Sequence, residues 1–565
     1  MQIQLFKTNK VLRATCLIVA LLYLANCQSQ VQETEDLLAS INELDINIDH
    51  FENAYKEYYY RTGQVLNPDI STKKAILDAE FDTYVLATYA EDLEIHKSDE
   101  AIVEKQRIER RVLNEEYLNQ IILSGIEVSD QELQEYFLRF NTQIRASHIY
   151  AQTEAGILEF KDRLDNGETF DDLAKEAFRN EYLSENGGDI GWFTTDELDI
   201  AFENSAFGLQ IGEVSEPVKT VQGYSLIKVT DRVSKPIITE YEFNQKRAQL
   251  GTYVLKKKRE LKTREHLDQF INGLQFDLQV DELWENVNQN LIGFRNRDIE
   301  FVSNLPRGSR VLATYGDIEF TSSDFIEELT ISSDQVVGFV VDESSFKEFF
   351  TGLAYRNYLY KESISNGLAE QELVSESINE TYYHYLSREA ENALRDQISN
   401  TPAELYNEFL ANRSNFIKPL EANFARVVVR SKEEAERVRN LILSGTDFSE
   451  VVDKYTVNNE DRFTNGELGL ASIKEFGYLE LQLSKLEVGD ISEVIQYQEN
   501  EFHIYKCLYR VESKALIFSE ASSYVDDFLT KKKLKELRSE TISDVKKKHN
   551  AFIDLKKLEE LIIQI

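Results

Sequence analysis

Asn186-Gly187-Gly188-Asp189-Ile190-Gly191-Trp192-Phe193 is the stretch on which the reading of this chain turns. It returns later in the same chain as Thr464-Asn465-Gly466-Glu467-Leu468-Gly469. Working outward, Asn166-Gly167-Glu168-Thr169-Phe170 is answered by Ser444-Gly445-Thr446-Asp447-Phe448, and Gly212-Glu213-Val214-Ser215-Glu216 by Gly489-Asp490-Ile491-Ser492-Glu493. Glu132-Leu133-Gln134-Glu135-Tyr136-Phe137 is answered by Glu404-Leu405-Tyr406-Asn407-Glu408-Phe409. The basic runs at Lys256 and Lys531 correspond, as do Leu274-Gln275-Phe276-Asp277-Leu278 and Ala551-Phe552-Ile553-Asp554-Leu555. Six matches in one order, at a spacing near 275 residues, mark a duplication.

Each copy has the same plan. A helix-rich segment with few breakers comes first, then a compact α+β segment, then a long charged helix and a short strand. Ser129 and Thr401 stand where N-caps are needed, and Ser129-Asp130-Gln131-Glu132 nearly forms a capping box. Leu305-Pro306-Arg307-Gly308 is the clearest break between copies. The fold class is therefore α+β in two tandem modules joined by long helices. The expected segments are 1–26, 27–142, 143–235, 236–308, 309–419, 420–513 and 514–565.

Length and composition agree with several domains. A chain of 565 residues exceeds one compact core, and its 42% hydrophobic content is enough to build more than one. The net charge of −37 repels phosphate backbones, so nucleic acid is excluded as a natural partner. The runs Lys256-Lys257-Lys258-Arg259 and Lys531-Lys532-Lys533 read as solvated helix faces. The seven histidines are scattered, and no HExxH, CxxC, GxSxG or phosphate-binding glycine loop occurs, so neither metal nor cofactor is expected.

The first 26 residues read as an export signal. Lys7, Lys10 and Arg13 precede an apolar run, Ala14 to Ala25, that is too short to span a bilayer comfortably. Leu24-Ala25-Asn26-Cys27 resembles a bacterial lipobox, which implies lipidation of Cys27; Asn26 departs from the usual small residue, and an ordinary secretory signal or an uncleaved anchor is the competing reading. Gln28-Ser29-Gln30 lacks the aspartate of inner-membrane retention, which points to the periplasmic side of the outer membrane. With Cys16 in the signal and Cys27 lipidated, Cys507 has no partner for a disulfide.

The α+β segment of the first copy resembles a parvulin, a rotamase-type peptidyl-prolyl cis–trans isomerase with an FKBP-like α+β fold. The resemblance runs in order through Arg145-Ala146-Ser147-His148-Ile149, the Gly167-to-Ala174 turn and helix, the Gly187-to-Phe193 loop, Ala201-Phe202-Glu203-Asn204-Ser205-Ala206-Phe207, Gly212-to-Val218 and Gly223-to-Val229. The helical segments are more loosely similar to those of SurA-, PpiD- and PrsA-type envelope chaperones. The resemblance implies proline isomerisation in exported or outer-membrane clients. The partners would be unfolded or proline-containing polypeptides, and a membrane reached through the lipid. A non-catalytic holdase or scaffold is the competing reading.

Proline isomerisation asks for little. The barrier of about 20 kcal/mol is amide resonance, so a catalyst needs an apolar cup and polar groups favouring the twisted amide. By the resemblance, His148 is the first pocket histidine, Ser225 holds the place of the second, and Asn180 falls near the family's cysteine or aspartate position. Ile190, Phe193, Leu198 and Phe202 would line the cup. The second copy departs the other way: Arg426 replaces the first histidine, His503 holds the second position, and Trp192-Phe193 becomes Leu470-Ala471. A cation beside an apolar cup is costly without a partner, so this copy reads as catalytically dead.

Overall fold

The computed structural model describes residues 36–62, 69–235, 239–277, 279–305, 308–498 and 500–563. The expected signal, Cys27, and Pro306 with Arg307 at the expected boundary lie outside them. Among the described residues no helix is long and apolar enough to cross a membrane.

The chain divides into two compact units. One comprises described residues of 1–121, 270–410 and 522–565, and the other 122–269 and 411–521. The grouping cuts across the lengthwise modules: most of the helical residues of both copies share the first unit, and both α+β segments lie in the second.

In the first unit, Ile70–Asp92 runs along Glu372–Asp396, and Asp99–Tyr117 along Glu343–Ser365. Glu328, only 1% exposed, is gripped by Arg110 at 2.5 Å and Arg356 at 2.9 Å, which ties three helices through one buried carboxylate. Two small sheets flank the helices. Gln275–Phe276, the closing strand of the first copy, pairs with Val311–Tyr315 of the hairpin that opens the second. Phe552–Ile553, the closing strand of the second copy, pairs with Leu37–Ile41 of the hairpin that opens the first. The two crossings are built alike: Asp277 N–H donates to Leu312 O at 2.9 Å, and Asp554 N–H to Leu38 O at 2.8 Å.

The second unit holds two four-stranded antiparallel sheets of identical strand order. The first runs Asp189–Phe193, Thr142–Ala151, Tyr224–Ser234, Val218–Lys219. The other runs Glu467–Ser472, Glu421–Val429, Glu501–Val511, Ile495–Gln498. In the first sheet Ile149 and Leu226 face the helices Glu154–Asp165 and Phe170–Ala177. Ile144, Ala146, Ile227 and Val229 face the helix Ile200–Gly208. Strand periodicity of two puts His148 on this second face with Ile144 and Ala146.

Small polar devices recur at matching places in both sheets. Ser215 and Ser492 each accept the N–H of a central-strand residue, Ile227 and Tyr505, at 2.9 Å. Arg232 donates to Leu209 O at 2.7 Å, at the end of Ile200–Gly208; Arg510 donates to Leu486 O, also at 2.7 Å, just after Glu480–Leu483. The two N-caps foreseen at Ser129 and Thr401 form reciprocal pairs with Glu132 and Glu404. Lys258 and Lys533 close on those same glutamates at 2.7 and 2.8 Å, so each carboxyl is held down to about 2. Lys258 is thus a paired residue, as is Lys257, 3.0 Å from Asp196, and the basic run is not the wholly solvated face its composition suggests.

Candidate functional site

His148 projects from the middle of the central strand towards an aromatic wall. Its ring centroid lies 5.0 Å from that of Phe178 and 5.6 Å from that of Phe202. Phe202 in turn meets Phe193 edge-on at 6.0 Å. Phe193 and Phe202 are buried, and Ile190 and Leu198 pack against them, half-buried. The four residues named for a proline cup are therefore brought together on one face of the sheet.

Ser225 sits on the neighbouring strand, buried, with Oγ 3.4 Å from His148 Nδ1. A hydroxyl stands here in the place of a second ring, and it can both donate and accept. Burial alone pushes the His148 imidazole down to about 4, because nothing charged stands beside it to favour protonation. At neutral pH the site therefore presents a neutral ring and a hydroxyl inside an apolar wall.

The wall depends on how the Gly187-Gly188 turn approaches the strand. Gly188 has φ of +73° and accepts from His148 N–H at 2.9 Å. A Cβ at Gly188 would lie 2.1 Å from His148 O, so only glycine fits. Gly466 repeats this against Arg426, with a 2.8 Å hydrogen bond and a Cβ clearance of 2.4 Å. The backbone of the turn is the same in both copies even where the side chain it holds has changed.

Asn180 has another task. Its Oδ1 accepts from Tyr182 N–H at 2.8 Å and Leu183 N–H at 3.4 Å, capping the short helix Glu181–Glu185. Asn458 caps Asn459–Phe463 in the same way in the second copy. The structure places Asn180 as a cap, exposed to solvent, and joins it to neither His148 nor Ser225 by a hydrogen bond. Phe178 is the site residue that sequence reasoning missed. It lies between two matched motifs, in a loop whose alignment the motifs do not fix.

In the second sheet the same place is filled by charge. Arg426 makes a two-point contact with Asp461, at 2.9 and 2.8 Å. Burial opposes the charge on Arg426, but the Asp461 carboxylate outweighs it and holds the guanidinium above its ordinary value. His503 Nδ1 lies 2.9 Å from Tyr505 Oη, its Nε2 lies 2.5 Å from Glu501, and Tyr497 stacks on its ring at 4.5 Å. The helix Glu480–Leu483 is one turn long, against the nine residues of Ile200–Gly208. An ion pair and a tyrosine occupy the place that His148 and its aromatic neighbours hold in the first sheet.

The first sheet lies within a stretch that a known family matches. The family described as Rotamase, PPIC-type PPIASE domain, matches residues 140–231. The foldase protein PrsA of Geobacillus kaustophilus (strain HTA426) is 32% identical over 256 residues, 43% of this chain and 87% of that protein. PrsA of Geobacillus sp. (strain WCH70) is 34% identical over 214 residues, 35% of this chain and 76% of that protein. Among solved structures, peptidylprolyl isomerase PrsA of Bacillus cereus is 21% identical, covering 41% of this chain and 91% of that one at a TM-score of 0.21.

Proposed function

We propose, for a chain that belongs to the PrsA-type foldases and carries their PPIC-type peptidyl-prolyl cis–trans isomerase domain, that isomerisation takes place on the His148 face of the first sheet. The observation that carries this reading is the wall of Phe178, Phe193 and Phe202 around a neutral His148, with Ser225 within 3.4 Å of it.

The chain's own residues account for the chemistry. Phe202, Phe193, Ile190 and Leu198 hold the proline ring out of water. Each fully buried side chain of this kind is worth about 1.5–3 kcal/mol of apolar contact. Removing water weakens solvation of the planar amide, whose resonance is what the reaction must break. As the amide twists, its nitrogen becomes pyramidal and its carbonyl loses resonance charge. Ser225 and the neutral imidazole supply hydrogen-bonding groups at the floor without a full charge, and no proton or covalent bond need be transferred.

The protein acts as a foldase on exported polypeptides. Its attachment through a lipid on Cys27, on the periplasmic side of an outer membrane, is our reading of the sequence alone. The second sheet is a binding or supporting module: the Arg426–Asp461 pair supports a non-catalytic role. The helices of the first unit supply the surface that holds unfolded clients.

The test is exchange spectroscopy on the full chain with a peptide containing one X-Pro bond. Wild type should accelerate exchange. Phe202→Ala should slow it by about tenfold, from an apolar wall worth on the order of 1–3 kcal/mol. His148→Ala should slow it less, since no covalent step uses the ring. Arg426→Ala should leave the rate unchanged. A rate that follows Arg426 and ignores Phe202 would place catalysis in the other sheet.

A further inference from the structure

The cup is completed by a six-residue rim, 194–199, between the strand Asp189–Phe193 and the helix Ile200–Gly208. Leu198 lies in it. From within, the rim is drawn in by Glu203, 3% exposed, whose Oε1 accepts the N–H groups of Glu197 and Leu198, both at 2.8 Å. From outside, the three carboxylates of the rim each meet a cation that lies beyond residues 140–231. Asp196 meets Lys257 at 3.0 Å, Glu197 meets Arg430 at 2.8 Å, and Asp199 meets both terminal nitrogens of Arg264 at 3.0 and 3.3 Å.

Asp199 is the node of this arrangement. It accepts from Ala201 N–H at 2.8 Å and Phe202 N–H at 3.4 Å, which starts the cup helix. It also accepts from Val221 N–H at 3.2 Å, in the turn after Val218–Lys219. Lys219, in that strand, pairs with Asp268 at 2.7 Å. Lys257, Arg264 and Asp268 are spaced by seven and four residues, so they share one stripe of the long helix Glu240–Gly273. In the second sheet, among the described residues, Glu480–Leu483 begins at Leu479 with no side-chain cap, and Lys532, the counterpart of Lys257, pairs with Glu408 instead.

We propose that Lys257, Arg264 and Arg430 are positioning residues for the isomerase, fixing the 194–199 rim and the start of the cup helix so that Leu198 and Phe202 close the apolar wall. The proposal rests on the assignment of the cup to the first sheet. Exposed ion pairs are individually weak, but these converge on six residues, and a displacement of the order of 1 Å in a positioning element costs catalysis heavily. The isomerase then extends beyond residues 140–231.

The experiment uses the full chain and the same X-Pro peptide at varied concentration. Arg264→Ala should lower kcat/KM by about fivefold, chiefly through KM, as expected for loss of roughly 1 kcal/mol of positioning. Arg264→Lys should recover part of the loss. Asp199→Asn, which keeps the oxygen that starts the cup helix, should also lower kcat/KM, and combining it with Arg264→Ala should cost nothing further. Lys262→Ala, on the same helix and paired with Glu265, should change nothing. NMR titration of the His148 ring gives a readout independent of rate: loosening the wall admits water, so its pKa should rise towards the ordinary histidine value in Arg264→Ala. An unchanged kcat/KM in Arg264→Ala, or a loss with the His148 titration unmoved, overturns the proposal. If Arg264→Ala does not fold, the same two measurements on Asp199→Asn decide the matter in its place. A wild type without exchange refutes the cup assignment, and the His148 titration then tests the rim contacts alone.

Discussion

Gly188 and His148 are held backbone to backbone, the glycine carbonyl accepting the histidine N–H at 2.9 Å with no room for a Cβ between them. That contact sets where the imidazole stands relative to Phe202. Gly188→Ala must move the turn away from the strand as well as pay for a positive φ. It should cost about 2–4 kcal/mol of stability and abolish exchange catalysis. Thermal melting and the peptide exchange rate on one preparation check it. A variant that melts normally and stays active would show the turn to be adjustable.

Asp461 neutralises a cation in the second sheet, so removing it should be worse than removing both. Asp461→Asn strands Arg426 and should cost about 3 kcal/mol. The double variant Arg426→His, Asp461→Leu copies His148 and Leu183 of the first copy and should regain most of that loss. Hydrogen exchange in Glu421–Val429 and Glu501–Val511 reports it directly. Equal protection in the single and double variants would deny the pair its role.

The depressed His148 pKa predicts a pH dependence of definite sign. The unfolded ring takes up its proton near the ordinary 6.5, whereas the folded ring resists until about 4. Stability is therefore complete above pH 6.5 and declines as the pH falls from there towards 4, by an amount on the order of 1–3 kcal/mol. Denaturant titration of wild type and His148→Phe at pH 7 and pH 4.5 checks it. Wild type should lose more than the variant on acidification.

The pairing of Phe552–Ile553 with Leu37–Ile41 makes a further prediction. Lys73, 7% exposed, donates to the carbonyls of Leu558, Glu559 and Leu561 at 3.3, 3.4 and 2.6 Å. Stopping the chain before Ala551 removes those acceptors and uncovers the edge of the hairpin. Hydrogen exchange at 37–47 and around Lys73 should rise by at least tenfold while the first sheet keeps its protection. Uniformly raised exchange would mean that the two units share one unfolding event.

Much of the fold is legible because short motifs recur along the sequence. The Gly187-to-Phe193 stretch and its echo at Gly466 announce two sheets, and His148, Ser225, Ile190, Phe193, Leu198 and Phe202 do meet on one face. The sequence is less informative wherever a partner is remote. Asn180 resembles a pocket residue because it stands in a loop of uncertain register, yet Asx residues before a short helix are caps first. Asp461 gives no sign that it answers Arg426, and the run at Lys256 reads as solvated because its carboxylate partners lie in other elements. The two-residue strands at Gln275 and Phe552 are visible, but a strand so short carries no pattern that names its partner.

That crossed pairing makes the helical unit a closed ring in sequence. Its opening hairpin waits for a strand more than 500 residues downstream, a separation that makes closure slow. As the chain is made, the first sheet has all of its strands by Ser234 and can fold early. The hairpin at 37–47 must stand with an open edge until the residues near 552 arrive. A protein that helps others fold thus passes through a long interval in which it, too, exposes an unpaired strand. Each closing strand pairs with the opening hairpin of the other half, an exchange of the kind a domain swap makes, here within one chain.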